Sequence, residues 1–310
     1  MAEEKKNMHI DFRSMAPERD VVLTIGVFDG VHLGHRRLAR RVMRRARELH
    51  CLSGVITFHP HPRAVLRPGN GPHYLVTLDE RLALLRELGL DVVAALPFTL
   101  DLARLSALEF MGLVCQHLRV RELWVGWDFA LGHRREGTVA RLTEIGQGMG
   151  YQVHAVPPLV LNGQIVSSTL IRHLVGQGEV ETAARLLGRW HHVGGTVVRG
   201  DPRGHHLSSP AVDVAVGAGL ALPEEGVYAA YARLEDRQWP AGAYVGPGFA
   251  GTGRRLEVHL PALVDGLYGQ SLRVAFTRRL PSDLRLASAK ALTTPMEKNL
   301  AQMRPVLSPV

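Results

Sequence analysis

From about Asp20 to Gly188, apolar positions alternate between two textures. Runs of strand length, "VVLTIGVF" (21–28), "LSGVITF" (52–58), "DVVAALPF" (91–98), "ELWVGWDF" (122–129) and "YQVHAVP" (151–157), are separated by segments whose apolar residues recur at helical spacing. In "RRLARRVMRRARELH" (36–50), for example, Leu38, Val42, Ala46 and Leu49 fall roughly on one face. Thr77 with Glu80, and Ser106 with Glu109, have the spacing of capping boxes and mark two further helix starts. This alternation predicts an α/β domain: a parallel sheet covered by helices on both faces, with ligands beyond the carboxyl ends of its strands.

After "GRWHHVGG" (188–195) helical periodicity fades. Short alternating stretches, "GVYAAYARLE" (226–235), "RRLEVHLP" (254–261) and "SLRVAF" (271–276), are divided by Gly and Pro clusters and predict a small all-β domain. Thr294 followed by Pro295 has the form of an N-cap and N1 pair for a C-terminal helix. The expected domains are therefore residues 1–188 and 189–310, with no internal repeat.

Composition narrows the chemistry. The chain has 310 residues, 46% of them apolar, which is enough for a full core. There is no apolar run long enough for a membrane helix, and the first twenty residues are polar, so the expected compartment is the cytoplasm. Cys51 and Cys115 form no metal or redox pattern. A net charge of +8 favours an anionic ligand. The only lysines are Lys5, Lys6, Lys290 and Lys298, which excludes a Walker-type loop and a Schiff-base mechanism in the body of the protein. Phosphates would have to be held by backbone N–H groups, arginine forks and imidazoles.

The stretch "TIGVFDGVHLGHRR" (24–37) has that form. Gly26, Gly30 and Gly34 relax a turn between strand and helix, and the helix starting near His35 aims free N–H groups at the same place. The residues alone leave three readings of His32 and His35: a metal pair, surface residues at a helix start, or hydrogen-bond donors to a phosphoryl group. A zinc site needs two more ligands at matching spacing, and none is near. The arginines between Arg36 and Arg47 read as a solvated helix face.

Four blocks in order make the chain recognisable. "GVFDGVHLGH" (26–35), "TFHPHP" (57–62), "GWDFALGHRREG" (126–137) and "SSTLIR" (167–172) resemble the motifs of the bacterial bifunctional riboflavin kinase/FMN adenylyltransferase (FAD synthetase) family. The resemblance implies a Rossmann-like nucleotidyltransferase domain of HxGH type that transfers the adenylyl group of Mg²⁺-bound ATP to FMN, giving FAD and pyrophosphate. It implies that His32 and His35 contact the ATP phosphates, within a loop formed by Gly26, Phe28, Asp29, Gly30 and Gly34. Ser168, Thr169 and Arg172 would hold the β- and γ-phosphates and stabilise the leaving group. Pro62, Asp128 and the position occupied by Leu131 would line the flavin site, where Leu131 replaces an aromatic residue of the family pattern. No protein ligand to a metal is expected in the transferase site.

By the same resemblance the second domain is a riboflavin-kinase-like β-barrel, but its signature has eroded. "GDPRGHHLSSPAVD" (200–213) keeps Gly200, Asp201, Gly204, Leu207 and Pro210, yet Ala211 and Asp213 stand where the family has the Thr and Asn that bind Mg²⁺ and ATP. Another block survives only as "YVGPGFAG" (244–251). Glu257 falls at the family's general base, although without metal and nucleotide partners it would be only an exposed strand residue. The expectation is FMN adenylyl transfer with kinase activity lost. Three other readings are a fully bifunctional enzyme, a paralogue using another phosphorylated acceptor, and a non-enzymatic flavin- or RNA-binding regulator. Neither nucleic acid nor a membrane is the expected partner.

Overall fold

A computed structural model describes residues 19–198, 211–247, 254–260 and 266–281. Contacts divide the chain into two compact units, one comprising residues up to 72 with 78–166, the other 73–77 with 167 onward.

The first unit runs β1 (Val21–Ile25), α1 (Leu33–Glu48), β2 (Leu52–His59), α2 (Pro62–Leu66), α3 (Leu78–Glu87), β3 (Val92–Pro97), α4 (Leu100–Arg104) and α5 (Ala107–His117). It continues with β4 (Val120–Gly126), a short hairpin of β5 (Ala130–Leu131) and β6 (Gly137–Thr138), α6 (Val139–Met149), β7 (Gln152–Val156), and a second hairpin of β8 (Val160–Leu161) and β9 (Gln164–Ile165). The five apolar runs are the five strands of one parallel sheet, ordered β3-β2-β1-β4-β7. Alternation along β1 explains the two-sided burial. Val21, Leu23 and Ile25 enter a core with Phe110 and Met111 of α5 and Leu142 of α6, while Val22 packs with Leu38 and Val42 of α1 and Leu85 of α3. The strand order reverses at β1, so the crevice outside the carboxyl ends of β1 and β4 is the switch point at which such sheets bind ligands.

Local signals behave as their chemistry requires. Ser106 and Glu109 form a reciprocal capping box on α5, and α3 begins directly after Thr77. Helix α1 starts at Leu33, slightly before the expected position, because His32 serves as its N-cap. Its arginines are not all a solvated face: Arg45 Nη2 donates to Glu122 Oε1 of β4 at 2.9 Å, and that carboxylate is buried.

The second unit carries α7 (Ser168–Gly176) and α8 (Val180–Leu187), followed by β10 (His191–Val198), β11 (Ala211–Val216), β12 (Gly226–Leu234), β13 (Arg237–Pro247), β14 (Arg254–His259) and β15 (Ser271–Leu280). These strands close a barrel in the order β10-β11-β14-β13-β12-β15, all pairs antiparallel. Closure removes the exposed edges that an open sheet would present. Val193, Val214, Leu256, Val258 and Phe276 contribute to the barrel core, against which Val180 of α8 also packs. Residues 73–77 join this unit through a bridge from Tyr74 to Leu220. The expected helix after Thr294 and the block at 200–210 lie outside the described residues. Among the described residues, no helix is long and apolar enough to cross a membrane.

Candidate functional site

The chain leaves β1 through a compressed turn. Phe28 has φ 52°, Gly30 φ 77° and Val31 φ 40°, with a 3-10 turn at Asp29–Val31 and both Asp29 and Gly30 buried. A β-branched residue at positive φ is a true outlier, and such strain persists only where surrounding structure enforces it. Of the three glycines singled out by sequence, only Gly30 has a positive φ; the other two make room for rings. A Cβ at Gly26 would meet Phe28 Cε2 at 3.0 Å, and one at Gly34 would meet the His32 ring at 3.1 Å.

His32 and His35 are brought together as a stacked pair, their ring centroids 3.6 Å apart and 18° from parallel. The His35 backbone N–H donates to His32 Nδ1 at 3.3 Å. A nitrogen that accepts cannot carry the proton, so the neutral His32 ring presents Nε2–H as its donor. This arrangement fixes a hydrogen-bond donor at the N-terminus of a 16-residue helix, where the backbone already favours an anion. His35 is held well below its ordinary pKa of 6.5, first by burial, then by unfavourable electrostatics with the neighbouring His32 and with Arg81. Its Nδ1 is buried with no hydrogen-bond partner among the described residues, leaving polar capacity at this turn.

The depressed pKa carries a prediction. The unfolded chain takes up a proton at His35 as pH falls through 6.5 while the folded protein resists it, so His35 removes stability progressively below 6.5. In urea unfolding, the stability gap between wild type and His35→Asn should therefore narrow as pH falls, by at most about 1.4 kcal/mol per pH unit. A gap that stays constant or widens contradicts this account of the pair.

Beside the turn lies a cavity of about 710 Å³ at the carboxyl ends of β1, β2, β3 and β4. Its lining includes Gly26 and Val27 from the loop after β1, and it brings together Pro62 at the start of α2, Asp128 and Leu131. The sequence reading missed most of its wall: Phe58, Phe98, Phe110 and Phe129 also line it. Phe58 sits edge-on to Phe98 with centroids 5.8 Å apart, and 6.1 Å from Phe110. A signal was present for three of them, because Phe58, Phe98 and Phe129 each close a strand run, at the ends where ligands bind, whereas Phe110 comes from α5. The rim is basic, with Arg63, Arg67, Arg104, Arg134 and Arg135. Arg135 Nη2 donates to the Asp128 carbonyl at 3.2 Å, which ties the hairpin loop carrying it to the cavity wall. Among the described residues, no group of three or more His, Cys, Asp or Glu could hold a metal ion.

In the second unit Ser167 caps α7, accepting from Leu170 N at 3.2 Å. Ser168 and Thr169 thus occupy the first turn of that helix, whose free N–H groups favour phosphate, and Arg172 lies half-buried one turn on.

The kinase-like positions fall on neighbouring barrel strands, Asp213 of β11 opposite Glu257 of β14 and Ala211 opposite His259. Asp213, Arg255, Glu257 and His259 alternate with the core residues Val212, Val214, Leu256 and Val258 and therefore project from the other face of the sheet. The expectation that Glu257 is exposed fails: it is completely buried. Arg255 Nε meets Asp213 Oδ1 at 2.6 Å, Arg255 Nη2 meets Glu257 Oε2 at 3.0 Å, and His259 Nε2 lies 2.7 Å from Glu257 Oε1. Such burial requires pairing, since an unpaired carboxylate out of water costs several kcal/mol.

A parallel sheet with a strained, histidine-capped loop at its switch point, followed by a closed six-stranded barrel, defines a protein of two parts, an α/β unit and a β-barrel. Comparison with known proteins makes the class specific. The family model describing FAD synthetase matches residues 14–170, and that describing riboflavin kinase matches residues 187–307. The bifunctional riboflavin kinase/FMN adenylyltransferase of Pseudomonas fluorescens is 36% identical over 96% of both chains. That of Escherichia coli K12 is 34% identical over 90% of both. A solved structure described as a macrolide-efflux protein from Streptococcus pneumoniae superposes with a TM-score of 0.79 at 26% identity, covering 94% of this chain and 96% of that one. The chain belongs to the bifunctional riboflavin kinase/FMN adenylyltransferase family and carries both of its domains.

Proposed function

We propose that residues 1–188 transfer the adenylyl group of Mg²⁺-bound ATP to FMN, giving FAD and pyrophosphate, and that residues 189–310 no longer phosphorylate riboflavin. The observation that carries the first half is a shared border. Gly26 and Val27 belong to the loop that leads to His32, and they also line the phenylalanine-walled cavity. Phosphate donors and an apolar slot for a planar ring system thus meet at one switch point.

The chemistry asks little of the protein beyond alignment and positive charge. An FMN phosphate oxygen is already anionic and needs no base. It forms a bond to the α-phosphorus as the α–β bridge of ATP breaks and pyrophosphate leaves. His32 Nε2–H and the α1 N-terminus stabilise charge on the phosphoryl oxygens, with His35 stacked behind. For Ser168, Thr169 and Arg172 the reading rests on their motif and on their seat at the start of α7. Asp128 and Pro62 belong to the flavin wall, and the basic rim suits a phosphorylated acceptor.

Two observations support loss of the kinase. Ala211 has no oxygen to offer a metal, and the Asp213 carboxylate is held by Arg255. The bifunctional reading is favoured by the relatives, whose names carry both activities, and by the match of the riboflavin kinase model to residues 187–307. Chromatography after incubation with Mg²⁺-bound ATP separates the readings. FAD from FMN and neither FMN nor FAD from riboflavin is the expected result, and either product formed from riboflavin supports bifunctionality. An FMN that stays unreacted while another phosphorylated acceptor is adenylylated points to a different substrate.

Leu131 gives a finer test. It covers the ring site without stacking on it, so Leu131→Phe should tighten FMN by about 0.5–1.5 kcal/mol, a two- to twelvefold fall in Kd read by quenching of flavin fluorescence. An unchanged Kd removes Leu131 from the flavin contact.

A further inference from the structure

Arg81 is an arginine of α3 with no solvent exposure, one of the largest fully buried side chains in the chain. Burying a guanidinium is expensive, and its sequence context, "LDERLALLRE" (78–87), reads as an ordinary amphipathic helix. Its placement indicates what the charge is for. Paired residues along β1 and β2 end at Ile25 and Ile56, and Gly26 N donates to Ile56 O at 3.0 Å. Beyond that point the two strands part toward different loops. Arg81 Nη1 takes over from the ladder: it donates to Val27 O at 3.0 Å and to Phe58 O at 3.0 Å, with Thr57 Oγ1 at 3.4 Å. Thr57 Oγ1 itself donates to Val27 O at 2.7 Å, closing the arrangement.

Both carbonyls belong to strategic segments. Val27 opens the strained turn to His32, and Phe58 precedes the "HPHP" segment that ends at Pro62. The rings or backbones of all three residues, Val27, Phe58 and Pro62, line the cavity.

We propose that Arg81 is a positioning residue for both substrates, a buried clip that holds the phosphate loop and the flavin wall in register at the carboxyl ends of β1 and β2. The proposal rests on the functional reading above and assigns a role to a residue outside the recognised motifs. A guanidinium suits the task because a single terminal nitrogen, Nη1, carries two N–H groups, enough for carbonyls at the ends of two strands, and stays charged at every working pH. Its charge is also felt on both sides: after burial and His32, it disfavours protonation of His35, and after burial it does the same at His59, against an opposing Asp79. Misplacement of reacting groups by about 1 Å is enough to cost about a hundredfold in rate.

The test compares Arg81→Met, Arg81→Gln and Arg81→Lys in the full chain, each assayed well below its own melting temperature. The expected result is a ten- to hundredfold loss of kcat/KM in Arg81→Met, with KM rising for both ATP and FMN, and substantial recovery in Arg81→Lys, which keeps a charged donor. Should Arg81→Met fail to fold, Arg81→Gln, a neutral donor of shorter reach, carries the same expectation. A residue that merely stabilises the fold would lower the melting temperature and leave the kinetic constants of the folded protein unchanged. Unchanged constants in a folded Met or Gln variant overturn the proposal, as does a rise in only one KM. Titrating FMN and ATP separately into wild type and Arg81→Gln reads the clip without turnover. A wild type that makes no FAD therefore counts against the functional reading, and weakened binding of only one ligand counts against the clip.

Discussion

Replacing His32 with alanine lowers FAD formation from FMN and ATP by about 10²–10³-fold, the usual consequence of removing one preorganised donor to a developing oxyanion. The same substitution destabilises the protein by about 1 kcal/mol, because the His32 side chain also caps α1 through the His35 N–H. Two roles in one side chain can be separated. Asparagine is among the best N-cap residues, so His32→Asn should recover the melting temperature. Its amide cannot extend to where the imidazole Nε2–H points, and turnover should stay near that of the alanine variant. Comparing kcat and melting temperature across wild type, His32→Ala and His32→Asn checks both halves. Turnover that returns with the cap would mean that His32 serves the helix and not the phosphates.

The second large effect is expected in the barrel. Arg255 is the cation shared by two buried carboxylates, Asp213 and Glu257. Arg255→Met leaves both charges out of water without it and should cost about 3–5 kcal/mol, the range seen when one partner of a buried ion pair is removed. Asp213→Asn, which restores the family residue, removes one charge of the three and should cost much less. Denaturant unfolding measures the two changes. A loss under about 1 kcal/mol in Arg255→Met would be the value of an exposed pair and would contradict a buried network. The same network bears on function, since a carboxylate already engaged with a guanidinium is a poor ligand for Mg²⁺.

The sequence reveals what depends on period and motif. Strand-length apolar runs, separated by helical spacing, predict the parallel sheet and the helices that cover it. The Ser106 and Glu109 box comes directly from residue types whose side chains compete for backbone N–H groups. The glycine-rich loop and its histidines are legible because few other arrangements would place them between a strand and a basic helix. What stays hidden is whatever tertiary packing decides against local preference. Histidine is an uncommon N-cap, so the start of α1 is misplaced. Arg81, Glu122 and Glu257 look like surface charges and are buried, because their partners come from distant parts of the fold or from alternate positions on one strand. The five residues 73–77 are too few to show any period, yet they belong to the barrel unit. Leu131 draws attention as a missing aromatic, while the wall that Phe58, Phe98 and Phe129 form with Phe110 of α5 becomes a single surface only once the strand ends lie side by side against that helix.

The central claim is that FMN is the acceptor of an adenylyl group. Its most direct test follows ATP labelled at the α-phosphorus through a single turnover with FMN. The account predicts that the label appears in FAD, with one unlabelled pyrophosphate released for each FAD formed. Label that remains in ATP or AMP while FMN is unchanged would contradict it.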